Sequence, residues 1–261
     1  MTASPSDRTA RIAATVLVVV TAALIAVVAS WRIIRPVPPH VDIDAERFPV
    51  RGIDISAHNG PVDFDSVAAA GIDFVYIKAS EGRFFRDRAF MDNYLAARRA
   101  GLAVGAYHFF RFDCDAREQA ENFLGAIVGC DLRLPPAIDI EAWGNPDGFA
   151  DDSISRRLRH MASLVADRRG RCMVYTNKQG SARFLSAFAD APADSIDYWI
   201  CSFSQQPPAG DWHLWQHSHM GSVPGIRGKV DLNTFRGTYA AWYAYLDSII
   251  AAPPRRSPHA Q

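Results

Sequence analysis

The chain has 261 residues, 49% of them hydrophobic and 21% charged, which is enough apolar side chain to close a sizeable core and argues against a disordered chain. Lys+Arg and Asp+Glu are both 28, so the formal net charge is zero and no global field draws the protein onto nucleic acid.

The first predicted element is an apolar run. Ile12 to Ser30 reads IAATVLVVVTAALIAVVAS, about 19 residues without a charge, and at helical rise this matches a bilayer core. A cleavable signal core is shorter, about 7–15 residues, and Val28-Ala29-Ser30 is only a passable cleavage site. The run is therefore read as a transmembrane signal anchor over 12–30 behind a short tail, 1–11, with secretion after cleavage as the alternative. Arg8 and Arg11 on one side balance Arg32 and Arg35 on the other, so charge does not set the orientation. Residues 31–49 contain Pro36, Pro38, Pro39 and Pro49, which stiffen the tract into an extended spacer, and the folded domain is expected to begin near Val50. At the far end 251–261 has no apolar period and is expected to fray, which leaves 50–250 as one domain.

Within that domain short β-branched or aromatic runs alternate with helical stretches. The predicted strands are 51–56, 73–80, 102–110, 136–141, 171–177, 197–203, 212–217 and 229–235. The predicted helices are 65–70, 87–100, 116–128, 153–169 and 181–188. Strands that alternate with helices imply parallel pairing by crossover connections, and helices that stop after the fifth suggest a barrel closed by plain strands. An open doubly wound sheet is the rival. The barrel is preferred because its chemistry gathers at the carboxyl ends of the strands, where this sequence places its polar residues. Cys114, Cys130, Cys172 and Cys201 form no C-x-x-C pair and show no zinc spacing, so no structural metal is expected.

The most informative segment is Pro136-Ala137-Ile138-Asp139-Ile140-Glu141-Ala142-Trp143. Side chains two apart on a strand share a face, so Asp139 and Glu141 point into one space while Ile138 and Ile140 pack behind. Crowded carboxylates keep one proton near neutral pH, which supplies a general acid beside an anionic partner. Asp54 ends the first strand and Asp231 lies on the last. In a closed barrel those strands are neighbours, which would bring Asp54 and Asp231 together across the seam. Tyr76, Tyr107, Tyr175, Asn177, Trp143 and Gln216 also gather near strand ends, and flat aromatic faces with amide neighbours suit a sugar ring.

These motifs occur in one order: G-I-D-I-S-x-H-N-G, F-V-Y-I-K-A-S-E-G, G-A-Y-H-F-F, A-I-D-I-E, V-Y-T-N, L-W-Q and V-D-L-N-T-F, from about Arg51 to Tyr245. In that order they resemble glycoside hydrolase family 25, the lysozyme-type muramidases. The resemblance implies an irregular TIM-like α/β barrel with five β/α units and three closing strands. It also implies hydrolysis of the β-1,4 bond after N-acetylmuramic acid in peptidoglycan glycan strands, and no cofactor; the chain is expected to work as a monomer. Carried over by residue, it makes Glu141 the proton donor, Asp139 the second catalytic carboxylate, and Asp54 and Asp231 the two further acids. Asn59 departs from the family pattern, in which a glutamine commonly stands before the glycine. The substrate exists outside the cytoplasm, so an anchored chain is expected at the cell membrane with its domain on the periplasmic or outer side. Two rivals remain open at this level: a metal-dependent barrel hydrolase built on His58, His108, Asp54 and Asp231, and a glycan-binding barrel whose catalysis has lapsed.

Overall fold

The computed structural model describes residues 15, 17, 19–22, 41, 43–192, 195–208, 210 and 212–251. The expected tail 1–11, most of the expected anchor over 12–30, and residues 252–261 lie outside them. Among the described residues no helix is long and apolar enough to cross a membrane.

From residue 41 onward the elements alternate as the sequence pattern requires. They run β1 (Arg51–Ile55), α1 (Phe64–Ala69), β2 (Phe74–Glu81), β3 (Phe85–Arg86), α2 (Phe90–Arg99), β4 (Ala103–Phe109), α3 (Ala116–Ala126), β5 (Ala137–Asp139) and α4 (Asp151–Arg169). Then come β6 (Cys172–Asn177), α5 (Lys178–Phe184) with a short 3-10 turn, β7 (Ile196–Cys201), β8 (Leu214–Gly221), β9 (Val230–Phe235) and α6 (Tyr239–Ala251). Caps set the helix starts. Asp63 accepts from Ser66 N before α1, and Asp115 accepts from Arg117 N and Glu118 N before α3, each taking up N–H groups that the helix leaves orphaned.

The sheet order is β1-β9-β8-β7-β6-β5-β4-β2-β3, and β1 also pairs with β2, so the sheet closes into a barrel and β3 hangs from β2 as a hairpin arm. The strands pair in parallel around the barrel except at β9, which is antiparallel to β8 and β1. Five β/α units followed by three strands are thus seen, and the open-sheet rival is excluded.

Alternation on each strand separates two cores. Residues such as Val75, Ile77, Val104, Ile138 and Val174 face outward and pack beneath the helices. Phe74, Tyr76, Ala137, Met173, Trp199 and Leu214 face inward and fill the barrel. The interior is crowded enough to require glycine on neighbouring strands: a Cβ on Gly105 would lie 2.4 Å from the Tyr76 ring, and one on Gly52 would lie 2.2 Å from the Phe74 ring.

Three features differ from the sequence reading. The helix α6 was not expected, because its Ala- and Tyr-rich sequence has no clear apolar stripe. It nevertheless packs Trp242, Tyr245 and Leu246 against the lower barrel core, and Tyr245 Oη donates to buried Asp197 at 2.7 Å. The two-residue arm β3 was too short to read. The third lies in the expected spacer, where Phe48 is buried edge-on to Trp215, with centroids 6.0 Å apart, and a turn donates Phe48 N to Asp44 O. The packed structure therefore includes residues ahead of Val50. All four cysteines are free, and Cys172 and Cys201 are buried in strands as apolar side chains.

Candidate active site

The carboxyl ends of the parallel strands open into a cavity of about 1060 Å³. Strand polarity explains its chemistry. Most inward-facing rows are apolar at depth and polar at the last position, where the barrel meets solvent, with Asp197 and Asn233 as buried polar exceptions. Asp54, Tyr107, Asp139, Glu141, Trp143, Tyr175, Asn177, Gln216 and Asp231 all line this cavity.

Tyr76 does not, and its expected substrate contact is corrected. It stands two residues before Lys78 on the same face of β2, one layer deeper. There it is fully buried against Trp199 at 4.7 Å, and its hydroxyl donates to Pro135 O at 2.9 Å. Trp143 sits at the opposite extreme, 81% exposed on the rim.

The acid pair sits at the end of β5. Asp139 is the last strand residue and Glu141 lies just past it, and their side chains are hydrogen-bonded to each other. Burial pushes Asp139 well above the usual carboxylate range, the charges of Glu141 and Asp54 add to this, and Lys78 opposes it. Burial also raises Glu141, helped by the charge of Asp54 and opposed by hydrogen bonds from Asp139 and Asn177. The Oδ1 of Asp139 is buried and accepts no hydrogen bond from the protein. The backbone under Glu141 is tightly held. Ile140 N donates to Tyr175 O at 2.9 Å, Thr176 Oγ1 donates to Ile140 O at 2.8 Å, and Asn145 Nδ2 donates to Glu141 O at 2.9 Å.

Asp54 and Asp231 are register partners across the β1–β9 seam. Asp54 Oδ2 accepts from Gln216 Nε2 at 2.9 Å and from Asn233 Nδ2 at 2.7 Å. Asp231 is pushed up to about 8 by burial first and then by the charge and hydrogen bond of Asp54.

The ligand set of the metal-dependent rival does not converge. His108 points outward from β4, where its Nδ1 pairs with Ser80 Oγ at 2.8 Å, its ring packs on Phe123, and burial lowers its pKa to about 3. His58 is on the cavity rim, 3.2 Å from Ser56 Oγ. Asn59 spends its amide oxygen on Ser56 N, capping the short turn of the first loop.

Several lining residues escaped the sequence reading. Lys78 pairs with Glu81 at 2.7 Å on one wall, and Ser56, Lys178, Trp199, Phe203 and His219 are among the other lining residues. Lys78 and Asn233 were findable, since each lies two residues from a residue already singled out, on the same strand face. Phe203 lies in the loop after β7 and His219 at a register shift within β8, where alternation gives no signal.

Carboxylates crowded at the carboxyl end of a β/α barrel are the arrangement found in paired-acid glycosidases. Residues 53–226 match the family model described as glycosyl hydrolases family 25. The chain belongs to this family. It is 34% identical over 188 residues to the autolytic lysozyme of Clostridium acetobutylicum, a match covering 71% of this chain and 56% of that protein, so it spans little more than half of that relative's length. It is 30% identical to lysozyme M1 of Streptomyces globisporus, with 73% and 69% covered. Among solved structures, a family 25 glycosyl hydrolase from Bacillus anthracis superposes with a TM-score of 0.70 at 28% identity, covering 80% of this chain and 98% of that one.

Proposed function

We propose that the protein is a muramidase that hydrolyses the β-1,4 bond between N-acetylmuramic acid and N-acetylglucosamine in peptidoglycan, with Glu141 as proton donor and Asp139 as its partner. The observation that carries this reading is the acid pair itself: two hydrogen-bonded carboxyl groups at the floor of an open cavity, one of them with a buried oxygen that no protein group uses. The names of the lysozyme relatives agree with it.

The empty pair holds one proton, drawn toward Asp139 by its deeper burial. A substrate amide N–H donated to Asp139 Oδ1 would favour the Asp139 anion and move the proton to Glu141. Glu141 then protonates the leaving glycosidic oxygen as that bond breaks. Asp139 steadies the amide nitrogen while the N-acetyl oxygen closes on the anomeric carbon to form an oxazoline. Water, deprotonated by the Glu141 carboxylate, opens the oxazoline and returns the proton to Glu141. Direct attack by Asp139 is the alternative for the first step. Tyr107, Trp143, Tyr175, Asn177 and Gln216 would contact the glycan from the cavity walls, and Asp54 and Asp231 would set the field around the pair. No cofactor enters the scheme.

The substrate lies outside the cytoplasm, so the catalytic domain is assigned to the periplasmic or outer side, held to the membrane through residues 12–30 and acting as a monomer. A reporter fused after Gln261 should be active only outside the cytoplasm; activity inside alone would defeat both the location and the muramidase reading. The function itself is tested by the masses of fragments released from purified peptidoglycan. Reducing-end muramic acid is expected, whereas an anhydro end would mark a lytic transglycosylase and reducing-end glucosamine a glucosaminidase.

A further inference from the structure

Asp54 sits at the end of two buried hydrogen-bond chains, and the direction of one of them is fixed by its outer member, an indole N–H. On one side Trp199 Nε1 donates to Asn233 Oδ1 at 2.8 Å, and Asn233 Nδ2 donates to Asp54 Oδ2 at 2.7 Å. On the other, Tyr175 Oη donates to Gln216 Oε1 at 2.8 Å, and Gln216 Nε2 donates to Asp54 Oδ2 at 2.9 Å. An indole N–H can only donate, so the Asn233 oxygen must face Trp199 and its NH2 must face the carboxylate. Tyr175 supports the same sense on Gln216 by donating to its Oε1, although a phenol, unlike an indole, is able to accept as well. With a flipped amide, either residue would turn a carbonyl oxygen toward Asp54, which repels the anion and pairs only with the neutral acid. Trp199, Tyr175, Asn233, Gln216 and Asp54 are all buried, which strengthens these bonds relative to water-exposed ones.

We propose that Trp199 and Tyr175 are positioning residues: their donors lock the two amides with both NH2 groups on one oxygen of Asp54, and this makes Asp54 the standing anion that faces the acid pair. This assigns the Tyr175 hydroxyl to the protein's own network rather than to a sugar. It also divides the labour at the seam, because two strong donors on Asp54 leave the proton to Asp231, which hydrogen-bonds back to Asp54. The other groups facing Asp54 are Tyr107 on β4, Asp139 and Glu141 at the end of β5, and the Cys201 thiol on β7. None of them offers a positive charge, and Lys78 on β2, already paired with Glu81, acts on Asp139. Burial raises Asp54, and the two amides, then Asp231, are the groups that oppose it and stabilise the Asp54 charge; that charge in turn raises both members of the acid pair and holds their shared proton. The last step rests on the proposed role of Glu141; the amide locking does not.

The test uses the full chain labelled with carbon-13 at the aspartate carboxyl carbons, titrated by NMR beside a kcat/KM profile on peptidoglycan. In Tyr175→Phe, which removes one oxygen and keeps the ring, the Asp54 midpoint is expected to rise by about one pH unit, the scale of one hydrogen bond to a charged group. Trp199→Phe should shift it in the same direction. In a Gln216→Met background Tyr175→Phe should add nothing, since its effect passes through that amide. With Asp54 neutral over more of the range, the acid pair loses earlier the proton that Glu141 delivers, and the alkaline limb of kcat/KM moves to lower pH. An Asp54 midpoint unmoved in Tyr175→Phe, or moved equally in the Gln216→Met background, would overturn the proposal. An Asp54 midpoint that rises while the alkaline limb stays in place would uphold the locked amides and instead remove Glu141 as the titrating donor.

Discussion

Asp54 and Asp231 face one another as register partners across the antiparallel seam where the first strand of the barrel meets the last. Two carboxyl groups so placed cannot both ionise cheaply, and Asp231, pushed up to about 8, is the one that keeps its proton.

The seam makes stability depend on pH. A carboxyl whose pKa is raised in the fold binds its proton more tightly there than in the unfolded chain. Its contribution is fully present below about pH 4 and is lost as the pH rises through about 8. Asp139 and Glu141 shift in the same direction. The wild-type melting temperature should therefore fall between pH 5 and 8.5. Asp231→Asn keeps the neutral shape, so it should match wild type near pH 5 and exceed it at pH 8.5 by ~1–3 kcal/mol in urea unfolding. Equal pH dependence in the two proteins would show that Asp231 is not the proton holder.

Glu141→Gln removes the titrating group and keeps the side-chain shape. Turnover on peptidoglycan should drop by about 10²–10⁴-fold, the usual worth of general acid catalysis, while the melting temperature is held or raised because a buried acid is replaced by a neutral amide. Retention of more than about a tenth of wild-type turnover would exclude Glu141 as the donor.

Asp139 separates the two routes to the anomeric carbon. With N-acetyl assistance, a thiazoline analogue of the oxazoline should inhibit far more strongly than the parent sugar, and Asp139→Asn should abolish that inhibition along with most of the rate. A slow fluorinated substrate should then leave the protein unlabelled. Mass spectrometry that finds a glycosylated peptide containing Asp139 would replace assistance with direct attack.

The barrel interior gives a prediction for folding. Gly105→Ala drives a methyl to within 2.4 Å of the Tyr76 ring, and overpacking of this kind costs about 1–3 kcal/mol. Tyr76→Leu in the same chain should recover part of that loss by vacating the space. Urea midpoints of the two single variants and the double variant measure the coupling, and strict additivity would mean that the ring is not what Gly105 accommodates.

The sequence by itself determined the local structure and the chemical inventory. Period-two strands, helical stretches between them and capping aspartates at 63 and 115 are written in neighbours along the chain. The i,i+2 rule was enough to place Asp139 with Glu141. Motif order carried the family and the barrel with it. Depth within the barrel was decided by tertiary structure. Tyr76 and Lys78 share a strand face, yet one is sealed against Trp199 and the other lines the cavity, because layer height follows from strand tilt and closure and not from alternation. The same holds for α6, whose place is set by the open lower end of the barrel that Trp242 and Tyr245 cover. It holds most of all for the hydrogen bonds from Trp199 and Tyr175 to the amides on Asp54. They join β6, β7, β8, β9 and β1, and they exist only once closure brings together residues separated by up to 179 positions.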